Sequence, residues 1–397
     1  MRKAERIVIV GGGTAGISVA ARLRKSLFGT EIVIVDHAQK HYYQPLWTLV
    51  GAGVFPVSES VRNEETCIPD GVKWIRERVL QLHPNENTIE SESGQRLEYS
   101  ILVVCPGLQI NWSRIKGLEQ ALSDRSSGVC SNYSYDHVEK TWENIRSFKG
   151  GTAIFTQPNT PIKCGGAPQK IAYLAEDYFQ QQGIRNKCKV IFASGQPHIF
   201  AVQKYATALE KVIERKKIKT HFKFNLTEIN GEKKEATFEN LEDKSSTTLS
   251  YDMIHVTPPM GPPDFIKESP LADSAGWVDV DKQTLQHSRY KNVFSLGDAA
   301  NLPTSKTGAA IRKQAPVVVA NILSVLGETP PVSHYDGYTS CPLVTGYKSM
   351  ILAEFDYALQ PQETFPFDQS QERYSMYLLK NYVLPVFYWD GMLKGRL

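Results

Sequence analysis

The stretch RIVIVGGGTAGISVAARLRKS (6–26) admits very few folds. Its opening reads as a short buried strand, the glycines as a tight turn, and the rest as a helix with apolar residues at helical spacing. Gly11, Gly13 and Gly16 complete G-x-G-x-x-G. The first glycine permits the turn, the second lets the backbone approach a pyrophosphate, and the third lets helix and strand pack closely. The helix N-terminus adds free N–H groups and a partial positive charge. A second strand, EIVIVD (31–36), ends in Asp36, twenty residues past Gly16, where a carboxylate can accept ribose hydroxyls. A lone glycine pattern is a weak signal. Strand, loop, helix, strand and acid in register make a dinucleotide site.

Later segments carry the fold further. LEYSILVVCPG (97–107) resembles the strand and turn by which two-dinucleotide flavoproteins return from an inserted domain, and LSYDMIHVTPP (249–259) resembles its counterpart in a second unit. NVFSLGDAA (292–300) resembles the segment of that superfamily whose aspartate, here Asp298, contacts the flavin. The expected fold class is α/β: two tandem Rossmann-like domains, the second inserted into the first, plus a C-terminal membrane-facing region. Residues 1–110 and 266–330 are expected to form the FAD-binding domain, 111–265 the second domain and 331–397 the C-terminal region.

The second unit should open near Gly150, with TAIFTQP (152–158) as strand and PQKIAYLAEDYFQ (168–180) as helix. The loop between them, NTPIKCGGAPQKI (159–171), lacks the glycine fingerprint. Proline removes N–H donors and fixes φ, so this turn is poorly suited to cradle a pyrophosphate. It is suited to hold one side chain still. That side chain is the Cys164 thiol, just before a helix start, beside Lys163 and with Lys170 on the following helix. Both helix terminus and cations favour the thiolate. Cys67, Cys105, Cys130 and Cys188 read as small core residues. A partner thiol is needed for two-electron sulfur chemistry, and Cys341, before Pro342 in a turn leading to a strand-rich segment, is the best candidate; local spacing does not establish that the two meet.

Bulk properties mainly exclude. A net charge of +3 is too small to argue for nucleic acid, and the basic run ERKKIKTHFK (214–223) reads as a solvated helix end entering a strand. The six cysteines contain no CxxC pair, and with the nine histidines they show no zinc spacing, so no metal site is expected. The chain enters a strand within its first residues, which reads as neither secretory signal nor transit peptide. No run approaches the ~20 apolar residues of a spanning helix. The last segment, ERYSMYLLKNYVLPVFYWDGMLKGRL (372–397), is dense in aromatic residues interleaved with Lys380, Lys394 and Arg396. Pro385 should break it into two short helices. Such a composition suits a headgroup interface.

Taken together, HYYQPLWTLVGAG (41–53), NTPIKCGGAPQK (159–170), HVTPPMGPPD (255–264), GWVDVDKQTLQH (276–287), GDAANLPTSKTGAA (297–310) and YTSCPLVTGY (338–347) resemble the sulfide:quinone oxidoreductases, in the branch shared by mitochondrial and bacterial enzymes. The resemblance spans almost the whole chain. It implies Cys164 and Cys341 as the redox pair, bridged by two or three sulfurs. It implies flavin contacts at Gly11, Gly13, Ala15, Gly16, Asp36, Gln44, Val79, Asp298 and Lys306, with Lys306 steadying negative charge on the reduced ring. Tyr347, Phe355 and Phe387 are the candidate quinone wall. FAD is expected to be non-covalent, because GVCSNYS around Cys130 does not match a flavin-attaching cysteine.

The resemblance further implies that hydrosulfide opens the bridge, leaving a persulfide on Cys341, that electrons pass through FAD to ubiquinone or menaquinone, and that a small thiol or sulfite removes the sulfane sulfur. The expected setting is monotopic, on the cytoplasmic side of the cell membrane or on the inner mitochondrial membrane, with a homodimer allowed. Two rival enzymes and one non-enzymatic reading, a flavin-fold scaffold or sulfide sensor, stand against this. A NADH:quinone reductase of the same superfamily needs a second glycine fingerprint. A flavocytochrome-type sulfide dehydrogenase needs export and a haem subunit.

Overall fold

The structure is a computed structural model and describes residues 5–397. Two parallel sheets organise it. In the first, the strands run in the order 293–295, 101–104, 6–10, 31–35 and 73–75, every pair parallel. The central strand Arg6–Val10 buries Ile7, Val8 and Ile9 completely. Continuous β-branched runs of this kind belong to sheets covered on both faces. The strand Val293–Ser295 reaches this sheet from far down the chain, so the first unit is built from two separate stretches.

The second sheet takes 129–130, 253–255, 151–157, 188–194 and 219–221 in that order, again parallel throughout. The short antiparallel pair 109–110 with 260–261 marks where the chain crosses between units. The expected strand and helix of the second unit stand at Gly151–Gln157 and Ala167–Gln181. The basic run is the end of helix Gln203–Arg215 passing into strand Lys219–His221, as expected, but it is not solvated throughout: Lys216 is buried and donates to Glu176 Oε2 at 2.8 Å.

Three expectations change. Cys341 lies within the strand Thr339–Gly346, not in a turn; that strand pairs antiparallel with Ser349–Phe355, and Pro342 is tolerated because the hairpin has only two strands. Pro385 does not split the last segment. Tyr374–Leu378 and Leu384–Val386 are α-helical, and Leu379–Val383 and Phe387–Met392 are wider π turns, giving one helical run. Proline lacks an N–H and crowds the carbonyl four residues back, and the wider turn relieves both. Finally, Gly308–Leu326 is long and apolar enough by length and composition to cross a membrane. It packs against the first helix, Thr14–Ser26, and the 339–346 strand, with Val317, Val318, Val319 and Ile322 buried.

The junction of strand and first helix is the tightest backbone contact on this path. A Cβ on Gly16 would stand 1.9 Å from the Gly11 carbonyl oxygen. Backbone cannot yield as a flexible side chain can, so Gly16→Ala is expected to destabilise the protein by more than ~3 kcal/mol, measured by urea unfolding.

Candidate active site

Each glycine of the loop has a distinct surrounding. Gly11 has φ +105°, and its Cβ would stand 2.5 Å from the Cys105 carbonyl oxygen. At Gly13 an added Cβ meets nothing within 4 Å, which leaves the opening a pyrophosphate needs. No side chain caps the helix Thr14–Ser26. Asp36 follows the second strand, where its Oδ2 accepts the Gly12 N–H at 2.5 Å and its Oδ1 accepts the Ala38 N–H at 2.7 Å. Ala15 and Val79 are buried, and Ala15 Cβ lies 3.5 Å from the Cβ position of Gly297. These residues fit a dinucleotide: open backbone at the second glycine, uncapped helix N–H groups and an acid at the strand end.

The segments carrying Asp298, Lys306 and Cys164 are joined through backbone. Asp298 lies in the turn Gly297–Ala299. Burial raises its carboxyl pKa, countered by Lys306 and Lys163. The Lys306 ammonium donates to the Asp298 carbonyl at 2.7 Å and the Ala300 carbonyl at 3.0 Å, 3.9 Å from the centre of the Trp277 ring. Burial brings Lys306 and Lys163 down to about 8 each, with Asp298 opposing the fall in both. Lys163 Nζ donates to Gln44 Oε1 at 2.7 Å. The Cys164 N–H donates to the Lys306 carbonyl at 2.9 Å, and Lys163 and Lys306 form a parallel bridge.

Cys164 has φ +53°, a left-handed conformation rarely taken by a side chain with a Cβ. The proline-bounded loop and the Lys306 bond hold it there, and its carbonyl accepts the Ala167 N–H at 2.8 Å as the next helix starts. The two distant cysteines meet: the Cys341 thiol hydrogen-bonds to Cys164. That bond, with Lys170 Nζ 3.5 Å from the sulfur, holds Cys164 well below the ordinary thiol pKa despite burial. Cys341 is fully buried and moves the other way, raised first by donating to Cys164 and then by burial. The pair is thus polarised, with the charge on Cys164.

The remaining cysteines are core. Cys130 Sγ contacts the Ile254 carbonyl at 3.6 Å, and burial pushes its thiol up to about 12; burial raises Cys67, Cys105 and Cys188 as well. Among the described residues no His, Cys, Asp and Glu cluster could hold a metal.

A cleft of about 620 Å³ opens beside Gly165 and Lys306, walled by Gln196, His198, Phe200, Trp277 and Phe355. It lies off the ends of strands 151–157 and 188–194, the crevice in which open α/β sheets bind ligands. The three aromatic quinone candidates are not gathered in one place. Tyr347 donates its hydroxyl to the Ala52 carbonyl at 2.7 Å, Phe355 packs edge-on against Phe200 at 5.8 Å and lines this cleft, and Phe387 is exposed on the last helix.

Lys380 departs from its expected interfacial role. It is 3% exposed, donates to the Pro45 carbonyl at 2.8 Å and is lowered to about 7 by burial and then by Lys170, with Cys164 opposing. Tyr133 is a further buried hydroxyl that feels the Cys164 charge. Neither had a readable signal: one lies in an aromatic amphipathic run, the other in an irregular segment.

Two outcomes follow. Gly13→Ala should leave apoprotein stability within ~1 kcal/mol yet weaken flavin binding at least about tenfold, by titration of apoprotein. Lys170→Met should raise the Cys164 pKa, read from the pH dependence of thiolate absorbance in the reduced protein.

Residues 5–147 match the family model for pyridine nucleotide-disulphide oxidoreductases. The chain is 49% identical over 390 residues to the mitochondrial sulfide:quinone oxidoreductase of Mus musculus, covering 98% of this chain and 86% of the relative. It is 50% identical over 399 residues to the Dictyostelium discoideum protein of the same name, covering 100% and 87%. The solved sulfide:quinone oxidoreductase from Aquifex aeolicus superposes with a TM-score of 0.84 at 18% identity, over 99% of this chain and 92% of that one, a likeness of fold. With near-full-length identity of this order on top of a shared architecture, the chain belongs to the sulfide:quinone oxidoreductase family.

Proposed function

We propose that this protein oxidises sulfide to sulfane sulfur at the Cys164–Cys341 pair and delivers two electrons, through FAD, to a membrane quinone. The observation that carries the reading is the polarised thiol pair beside Lys170, with Cys341 buried and Cys164 partly so. Bound FAD supplies a two-electron acceptor that can be reoxidised by quinone.

In the oxidised enzyme the two sulfurs are bridged. Hydrosulfide attacks the Cys341 sulfur, the bond to Cys164 breaks, and Cys164 leaves as a thiolate while Cys341 carries the persulfide. Attack on this side makes the lower-pKa sulfur the leaving group, which favours exchange. Lys170 stabilises the departing charge. An acceptor nucleophile, a small thiol or sulfite, then takes the outer sulfur of the persulfide and leaves Cys341 as thiolate. Re-forming the Cys164–Cys341 bond releases two electrons. A trisulfide resting state fits the same scheme with one sulfur held between the pair. The 620 Å³ cleft, with Gln196, His198 and Lys306 on its wall, is the route for an anionic acceptor. Lys306 and Lys163 face the Asp298 segment and steady negative charge there.

The last helix supports contact with a bilayer. Tyr374, Tyr382, Val386 and Phe387 are 54%, 62%, 55% and 47% exposed, an apolar face on a helix otherwise anchored by buried Tyr388 and Trp389. Aromatic residues of this kind favour the headgroup level, so the reading is monotopic. The FAD is held non-covalently, since Cys130 is spent inside the second sheet.

Cys164→Ser and Cys341→Ser should each abolish sulfide-dependent quinone reduction while FAD stays bound, followed by quinone absorbance; normal turnover of either variant would sink the cysteine reading. A pH test addresses Lys380. Its folded pKa of about 7 lies below its ordinary value, so burial of the cation destabilises fully below pH 7 and the cost fades as pH rises towards 10. Lys380→Met should therefore raise Tm more at pH 6 than at pH 10, measured by calorimetry.

A further inference from the structure

Apart from the cysteine pair, four side chains from four segments form one hydrogen-bonded chain. Thr14 Oγ1 lies 2.8 Å from the Tyr388 hydroxyl, which lies 2.6 Å from His41 Nε2. His41 Nδ1 lies 3.2 Å from Glu64 Oε2. His41, Glu64 and Tyr388 are 3%, 2% and 4% exposed. One end of this chain is the last helix. The other end is the dinucleotide loop: Thr14 is the first residue of its helix, and Glu64 Oε1 would stand 2.8 Å from a Cβ on Gly12.

That Glu64 oxygen is buried and has no hydrogen-bond partner among the described residues. Buried carboxylate oxygens rarely stay unpaired, so the missing donor belongs to whatever occupies the loop. Asp36, on the same glycine, already receives the Gly12 N–H. Ribose hydroxyls of a dinucleotide are donors of the required kind.

Other contacts fix the helix to the same unit. The Tyr388 ring packs on Tyr43 with centroids 4.5 Å apart, and the Arg62 guanidinium lies 4.1 Å from the centre of the Trp389 ring. Further along, Lys25 Nζ on the first helix donates to the Lys394 and Gly395 carbonyls at 2.7 and 2.9 Å.

We propose that the Thr14–Tyr388–His41–Glu64 chain couples FAD binding at the glycine loop to docking of the C-terminal helix, so that each holds the other in place. The docked Tyr388 fixes the Thr14 hydroxyl and the His41 ring, and His41 in turn aims Glu64 at the cofactor. FAD returns the effect by satisfying Glu64, and by linkage the two couplings are equal. These four are positioning residues. The inference rests on flavin occupying this loop and on no step of the sulfur chemistry, so its failure would leave the cysteine reading intact.

The test is hydrogen–deuterium exchange of the full chain, with FAD bound and after FAD is stripped, together with FAD titration of the apoproteins. Stripping FAD should speed exchange across 379–392 at least about fivefold. Tyr388→Phe, which keeps the ring, should weaken FAD binding by at least about fivefold, and adding Thr14→Val should weaken it little further, because both cut the same link. Glu64→Gln should weaken FAD binding and loosen 379–392 in the holoprotein. Unchanged exchange on stripping FAD overturns the proposal. So does a Tyr388→Phe affinity within about twofold of the parent, or a Glu64→Gln variant that loses FAD affinity with no change in the helix.

Discussion

The chemistry of this fold depends on keeping a negative sulfur inside protein. A buried anion is costly unless hydrogen bonds and opposite charges compensate it. Here compensation comes from three directions: the Cys341 thiol, the Lys170 ammonium and the start of the helix Ala167–Gln181. The cations are themselves desolvated, Lys380 fully buried and Lys163 and Lys306 partly so, and all three are lowered in consequence. Each charge is tolerable because of the others, and the site is organised as one electrostatic unit.

That unit is assembled from segments far apart in sequence, and this determines how much of it could be read in advance. The glycine loop was legible because its chemistry is local: a turn, a close approach and a helix start occupy six consecutive positions. The cysteine loop was legible for the opposite reason, since prolines stand where a phosphate cradle would be. The approach of Cys341 to Cys164 was implied only by resemblance, because the hairpin that brings it depends on tertiary packing against the helix Ala167–Gln181. Lys380 was misread. A lysine in an aromatic run looks interfacial, yet its ammonium reaches the Pro45 carbonyl in the interior.

The last helix shows a related limit. Proline is a strong local signal, and it wrongly suggested a break at Pro385. Widened turns on either side let the helical run continue. That continuity matters, because it places Lys380 and Tyr388 on one element, the first near the cysteine pair and the second at the nucleotide loop. One continuous segment thus spans both halves of the site, while its outer face stays apolar.

The left-handed backbone at Cys164 carries a consequence for any replacement of the thiol. A φ of +53° is a conformation glycine adopts without strain. Every variant that keeps a side chain at 164 inherits the strain, whereas Cys164→Gly removes the sulfur and the strain together. Loss of the nucleophile and relaxation of the backbone are therefore linked at this one position.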